Sequence, residues 1–265
     1  MTVEKIYIVR HGFRLNWVST DWLDVTGLPR DPPLAAYGEK QAQELGAYFL
    51  SIPEKERPTA IFSSPYYRCL QTAKPIANAL GISVYVEHGI GEWYSPVAPN
   101  TGLHPRPGSA ISLQQYFPEI DPSWSSIYYP SRKGEEVDQV HERAETFLRA
   151  LIPRVERVER HARIMLVSHA ATVITLARAL VGKRDLPLRV GCCTVTELVR
   201  HKDGDPLGVW TAVRLADGSP LTGGTSRDWG FEDIEIAEGK VVHDPGVDGT
   251  QNEIDEPVGL YLSKM

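Results

Sequence analysis

The sequence predicts an α/β fold in three layers, α/β/α, around a mainly parallel sheet. Two observations carry that expectation. Short β-branched and aromatic runs alternate along the chain with stretches of helical periodicity. Several of those runs also end, on their C-terminal side, in charged or hydroxyl-bearing residues. Outside the carboxyl ends of the strands is where chemistry collects in open α/β sheets.

The first run, Ile6 to Val9 (IYIV), is too short for a buried helix and reads as an interior strand. It passes directly into Arg10, His11, Gly12 and, two residues later, Arg14. After a Pro33/Leu34 entry, Ala42, Leu45, Ala47, Phe49 and Leu50 fall mostly at helical spacing, the mark of a crossover helix. TAIFSSP, from Thr59, reads as a second strand ending in serines. A helix from Tyr66 to Leu80 follows it, with Pro75 expected to kink or break it.

ISVYVE, from Ile82, is a third strand, with Glu92 shortly beyond it. Val137, Val140, Ala144, Phe147, Leu148, Leu151 and Val155 recur as in a long amphipathic helix. ARIMLVSHA, from Ala162, is a fourth strand that runs into His169.

Two regions break the alternation. Residues 93–132 are rich in Pro, Ser, Tyr and Trp and read as an insertion folding over the sheet edge. From about residue 200 Gly, Pro and Asp surround one strand candidate, VWTAVRLA, and HDPGVDGTQNEIDEP reads as an acidic, weakly ordered tail. Residues 1–265 are taken as a single domain carrying that insertion and that irregular extension.

A net charge of −6 argues against direct nucleic-acid binding, which depends on clustered Lys and Arg. Cys69, Cys192 and Cys193 make no paired framework and suit a reducing compartment. The opening MTVEKIYIV resembles no signal peptide, and no apolar run approaches the roughly 20 residues that cross a bilayer. The expectation is a cytoplasmic or nuclear protein with no membrane partner.

Parallel topology would bring Arg10, His11, Arg14, Arg68, Glu92 and His169 to one rim. Three desolvated guanidinium groups without a counter-charge cost several kcal/mol, on the order of ~3–5. An anion is therefore expected among them, and the planar forks of arginine match a phosphoryl group best. His11 could be one more donor or the attacking group; Gly12 offers a carbonyl to one ring N–H of His11, which favours attack on phosphorus by the other nitrogen. His169 is then a donor to the phosphoryl oxygens. Glu92, beside Trp93 and Tyr94, is the candidate proton donor, its pKa expected to rise with burial against the pull of the arginines. A plain Glu92–Arg ion pair is the alternative.

No HxH, HExxH or CxxC spacing is present, so neither metal nor cofactor is expected. Ser63, Ser64 and Ser168 lack a GxSxG elbow, and no Walker or dinucleotide loop opens a helix. His104 and Arg106 could hold a sugar acid, but read more simply as part of a solvent-facing Pro-rich loop.

VRHG at Val9–Gly12, SSPYYRCLQTA at Ser63–Ala73, GIGEW at Gly89–Trp93, KGEEVDQVHER at Lys133–Arg143 and LVSHA at Leu166–Ala170 together resemble the histidine phosphatases, the phosphoglycerate-mutase-like superfamily. That resemblance implies a metal-independent phosphomonoesterase with a phosphohistidine on His11. Arg10, Arg68 and His169 would complete the phosphate pocket, with Glu92 as acid. Mutases usually carry a small polar residue at the Arg14 position and an asparagine where this chain has Trp17. The extra arginine and the EW acid loop look instead like the branch that acts on phosphotyrosine. The longer stretches resemble the phosphatase domain in a fungal subunit of transcription factor IIIC. A phosphorylated protein or small molecule is thus the expected partner. The alternative is a weakly active or inactive interaction subunit of an RNA polymerase III complex, with partners held by the aromatic insertion or by the terminal VGLYLS.

Overall fold

The computed structural model describes residues 2–255 except 160, 203, 238 and 239, so VGLYLS lies outside the described residues. The main sheet contains β1 (Lys5–Arg10), β2 (Ala60–Ser63), β3 (Val84–Val86), β4 (Arg163–Ser168), β5 (Val195–Arg200) and β6 (Trp210–Asp217). Their order is β3-β2-β4-β1-β5-β6. The β3-β2, β2-β4 and β4-β1 pairs are parallel, whereas β1-β5 and β5-β6 are antiparallel. A short hairpin of β7 (Ile236–Ala237) and β8 (Lys240–Val241) stands apart.

The pleat divides the core in two. Ile6 and Ile8 of β1 face the cluster that holds Phe147, Leu148 and Leu151 of α4 (Val137–Arg154), together with Ile174 and Leu176 of α5 (Ala170–Val181). Tyr7 and Val9 face the opposite cluster, with Leu45 and Phe49 of α1 (Ala36–Ser51) and Leu70 and Ile76 of α2 (Tyr67–Leu80). Each of these aliphatic or aromatic side chains, fully buried, contributes roughly 1.5–3 kcal/mol. Three layers follow, with β1 and β4 at the centre.

Pro75 does not break α2, which runs unbroken to Leu80. A Cβ at Gly46 would stand 2.9 Å from the Pro75 carbonyl oxygen, so α1 seats closely on the turn where the proline removes a hydrogen bond. The insertion contains α3 (Ala110–Leu113) and covers the β3 edge. Val84 donates to Glu119 O at 3.0 Å, Asp121 donates to Val84 O at 3.0 Å, and Trp124 packs on Phe62.

Two further expectations from the sequence are corrected. The acidic segment is not weakly ordered through residue 255. Its backbone pairs with the insertion, through Ala98 N–H to Asp244 O at 2.8 Å and Val247 N–H to Leu103 O at 2.9 Å, and its acids meet Arg106 and Arg132. Nor is the Pro-rich loop solvent-facing at His104, which is buried and stacked on Tyr94 with 4.5 Å between ring centroids. Among the described residues no helix is long and apolar enough to cross a membrane.

Candidate active site

The carboxyl ends of β1, β2 and β4 bring the sequence-identified residues to one cleft of about 430 Å³. Its lining includes Arg10, His11, Arg14, Arg68, Glu92 and the first residues of α5, Ala170 and Ala171. His169 adjoins it, with 5.3 Å between its ring centroid and that of His11. All six candidates converge. Both α2 and α5 begin at this edge, with the α2 N-terminus capped by the Asp31 carboxylate and the α5 N-terminus facing the cleft at Ala170 and Ala171.

His11 follows β1 directly, and its N–H donates to Ser168 O at 2.9 Å. Its Nδ1 lies 2.8 Å from the Gly12 carbonyl oxygen. A carbonyl only accepts, so Nδ1 carries the proton and Nε2 holds a lone pair. Nε2 has no hydrogen-bond partner among the described residues. Burial, then Arg68, Arg10, His169 and Arg14, hold the His11 pKa well below that of a free imidazole. Gly12 allows a close approach here: a Cβ would stand 2.8 Å from Gly38 O of α1, and its N–H reaches Thr72 Oγ1 at 3.0 Å.

The three arginines are held in different ways. Arg68 is buried, and pairs with Asp31 at 2.9 Å and with Glu92 at 3.0 Å. Burial lowers its pKa, but Asp31 and Glu92 outweigh that and raise it. Arg10 donates through Nη1 to Val190 O at 2.8 Å and to Arg227 O at 2.5 Å. Arg14 lies over the Trp17 ring at 4.3 Å, and burial, then Arg68, bring its pKa down to about 10. The Nε atoms of all three are buried without a hydrogen-bond partner among the described residues. They leave unmet hydrogen-bonding capacity and positive charge beside the cleft.

Glu92 Oε2 sits 3.0 Å from Arg68 Nη2 and 3.2 Å from His169 Nδ1. Both can donate to it if His169 is protonated on Nδ1, which leaves Nε2 to accept from the Ser64 hydroxyl at 2.8 Å. Burial takes the His169 pKa down to about 4 despite the pull of Glu92, so the ring is neutral at physiological pH. Glu92 departs from expectation. Burial raises its pKa, but His169 and Arg68, then Arg14, hold it well below the usual carboxylate range. His11, Glu92 and His169 each place a potential ligand atom within 4.8 Å of the others. A cation there would face the guanidinium groups of the same cleft.

Sequence reasoning missed Asp31, the buried counter-charge of Arg68, which also accepts the Tyr67 N–H at 2.8 Å. It placed Trp93 and Tyr94 beside Glu92 but missed the rest of the aromatic wall, Trp22 and Trp229. Trp22, Trp93, Tyr94 and Trp229 line the cleft, with Asn16, Arg30 and Asp244. His104 and Arg106 line the neighbouring pocket rather than this cleft.

A doubly wound sheet with a neutral histidine among arginines at its carboxyl edge defines a phosphoryl-handling class of protein. The chain belongs to the histidine phosphatase superfamily (branch 1), whose description matches residues 6–212. It is 42% identical to the transcription factor tau 55 kDa subunit of Saccharomyces cerevisiae over 186 residues, covering 69% of this chain and 42% of that protein. It is 25% identical to the ecdysteroid-phosphate phosphatase of Drosophila melanogaster over 213 residues, 67% of this chain and 27% of that protein. The chain thus spans less than half the length of either relative. Among solved structures the ecdysone phosphate phosphatase of Bombix mori, in complex with tungstate, aligns with a TM-score of 0.60 at 19% identity, covering 80% of this chain and 93% of that one. At that identity the likeness is one of fold.

Proposed function

We propose that the protein is a metal-independent phosphomonoesterase working through a phosphohistidine on His11. The observation that carries this is the neutral His11 ring, tied at Nδ1 to Gly12 O, in a cleft where three arginines keep unpartnered Nε donors. His11 Nε2 forms a bond to phosphorus as the ester P–O bond breaks. Arg10, Arg14, Arg68 and His169 hold the equatorial oxygens. The leaving oxygen takes its proton from Glu92. Because Glu92 is ionised in the free site, that proton arrives with the substrate as its monoanion, whose second pKa is about 6. Water then attacks phosphorus, gives a proton to Glu92, and releases phosphate and free His11.

The aromatic wall supports an aryl or phosphotyrosyl leaving group, since ring faces accept flat apolar groups readily. Chelator-treated protein is expected to hydrolyse 4-nitrophenyl phosphate, and His11→Ala to abolish this. An alanine variant at wild-type turnover removes the nucleophile assignment. Glu92→Gln is expected to slow alkyl phosphates by about 100-fold and nitrophenyl phosphate far less, because a good leaving group needs little proton assistance. Equal losses on both would reject the acid role.

A second reading rests on the similarity to the transcription factor tau 55 kDa subunit. The fold would then serve as a nuclear interaction subunit of a transcription complex, with weak or no turnover. Negligible hydrolysis of every phosphoester tried, with stable co-purification of a large partner, would favour it.

A further inference from the structure

Another charged constellation lies outside the phosphate cleft. Residues 244–255 cross the insertion as a strap whose Glu253 and Asp255 meet a set of converging donors. The Asp255 carboxylate accepts from Ser131 Oγ at 2.8 Å, from the Arg132 backbone N–H at 2.7 Å and from Arg106 Nη2 at 3.1 Å. Arg106 Nη1 also donates to the Asp255 carbonyl, and Arg132 Nη1 meets Glu253 at 2.6 Å. A hydroxyl, an amide and a guanidinium meeting on one carboxylate form an anion cradle.

Both arginines of the cradle are also held by the insertion itself. Arg106 Nη2 is also held by Pro130 O at 2.8 Å, and Arg132 Nε by His104 O at 2.8 Å. The occupant, by contrast, is accessible: the Asp255 and Glu253 side chains are 30% and 50% exposed. Ion pairs this exposed are individually weak and exchangeable.

The cradle also adjoins the phosphate cleft. Glu92 and Tyr94 line both that cleft and a smaller pocket, which Arg106, Ser131 and Arg132 line as well. In that pocket His104 Nδ1 is buried without a partner among the described residues. Beyond it a groove of about 760 Å³ continues past Arg106, Tyr129 and Arg132 to the strap residues Val247 and Ile254. A peptide chain lying in this trench would have donors at both ends.

We infer that the Arg106–Ser131–Arg132 cradle is a second anion site, which takes the carboxylate of an acidic residue in a phosphopeptide substrate, and that Asp255 is a built-in competitor for it. The peptide class rests on the phosphatase reading of the cleft. A carboxylate on a peptide is favoured because that is what the cradle holds, with main-chain contact to the same residue.

The test is fluorescence anisotropy with labelled phosphotyrosine peptides, and their unphosphorylated counterparts, in which one Glu is walked through an otherwise uncharged sequence. Glu253→Gln/Asp255→Asn protein is expected to bind peptides with Glu at one or two positions about five-fold tighter than the unaltered protein does. Gln at those positions should remove the gain. Ser131→Ala, which deletes one donor and leaves both arginines in place, should reduce the Glu preference about two-fold. No Glu position giving a gain, or a preference indifferent to Ser131→Ala, overturns the inference. Dependence on the phosphate reports the cleft and dependence on Glu reports the cradle, so the two readings fail separately.

Discussion

Asp31→Asn is the sharpest probe of how the cleft tolerates its arginines. At 2.9 Å from Arg68 Nη1, with both side chains 1% exposed, the Asp31 carboxylate is the buried counter-charge of that guanidinium. Two unit charges at that distance attract by about 6 kcal/mol at an effective dielectric constant of roughly 20. The substitution forgoes most of this, while the desolvation of Arg68 remains. Glu92, 3.0 Å from Nη2, still supplies partial compensation, so the expected loss lies near the lower end of the range for a broken buried pair, about 3 kcal/mol. Asn preserves shape and an acceptor for Arg68, which confines the effect largely to charge. Its amide nitrogen, if turned toward the Tyr67 N–H, adds about 1 kcal/mol.

Urea unfolding followed by tryptophan fluorescence measures this directly, and Asp31→Asn/Arg68→Gln closes a double-mutant cycle. A coupling energy of at least about 2 kcal/mol is expected, because the second change removes the charge that the first left stranded. A single-variant loss below about 1 kcal/mol, with additive effects in the double variant, would refute the view that Asp31 holds Arg68 in place.

Gly38→Ala is expected to cost at least about 2 kcal/mol and to lower turnover, because the new Cβ would stand 2.2 Å from Phe13 O, backbone that cannot yield without moving the His11 loop; unfolding midpoints and assay at a fixed temperature check both effects. Glu87 is fully buried, and burial, against the Ile127, Gly89, Trp124 and Tyr128 donors, pushes its pKa from 4.5 up to about 7. Between those values the unfolded chain has lost a proton that the folded chain keeps, so this group's contribution to stability falls by about 3 kcal/mol as pH rises through that window and is level above it. The stability difference between wild type and Glu87→Gln is therefore expected to shift toward the variant from about pH 4.5 to about pH 7, and a flat difference would reject the raised pKa.

The parallel half of the fold was legible because its strands are continuous apolar runs bounded by polar residues, and the periodicity of α4 marked a single face. β5 was not anticipated. Its TELVR sequence reads as polar, yet Glu197 belongs in the sheet because Lys5 of the neighbouring strand meets it at 2.6 Å. α5 escaped notice for the opposite reason: Ala171 through Ala177 are all buried, so no polar face marks a helical period. The charged residues of the site could be read from strand ends, whereas Asp31 sits in a loop whose pairing appears only in three dimensions. Trp229 and Asp244 reach the cleft from a stretch whose Gly, Pro and Asp content suggested irregular chain, and its contacts with Arg106 and Arg132 depend on charge complementarity across more than a hundred residues.

In the free cleft Arg68 Nη2 and His169 Nδ1 both point at Glu92 Oε2, so the carboxylate already occupies the place of an acceptor. On the proposed reading, a phosphoryl group competes for those same donors and brings its own negative charge close to the carboxylate. Both changes oppose the ionised form, leaving burial, which raises the pKa, as the dominant influence. Glu92 would thus become protonated when substrate binds and return to the carboxylate as phosphate leaves, so the same arginines that suppress its acidity in the free site permit it in the complex. Phosphate or vanadate binding should accordingly take up a proton near neutral pH, measurable as a dependence of binding enthalpy on buffer ionisation. Glu92→Gln should abolish that uptake, and proton uptake unchanged in this variant would show that the proton goes elsewhere.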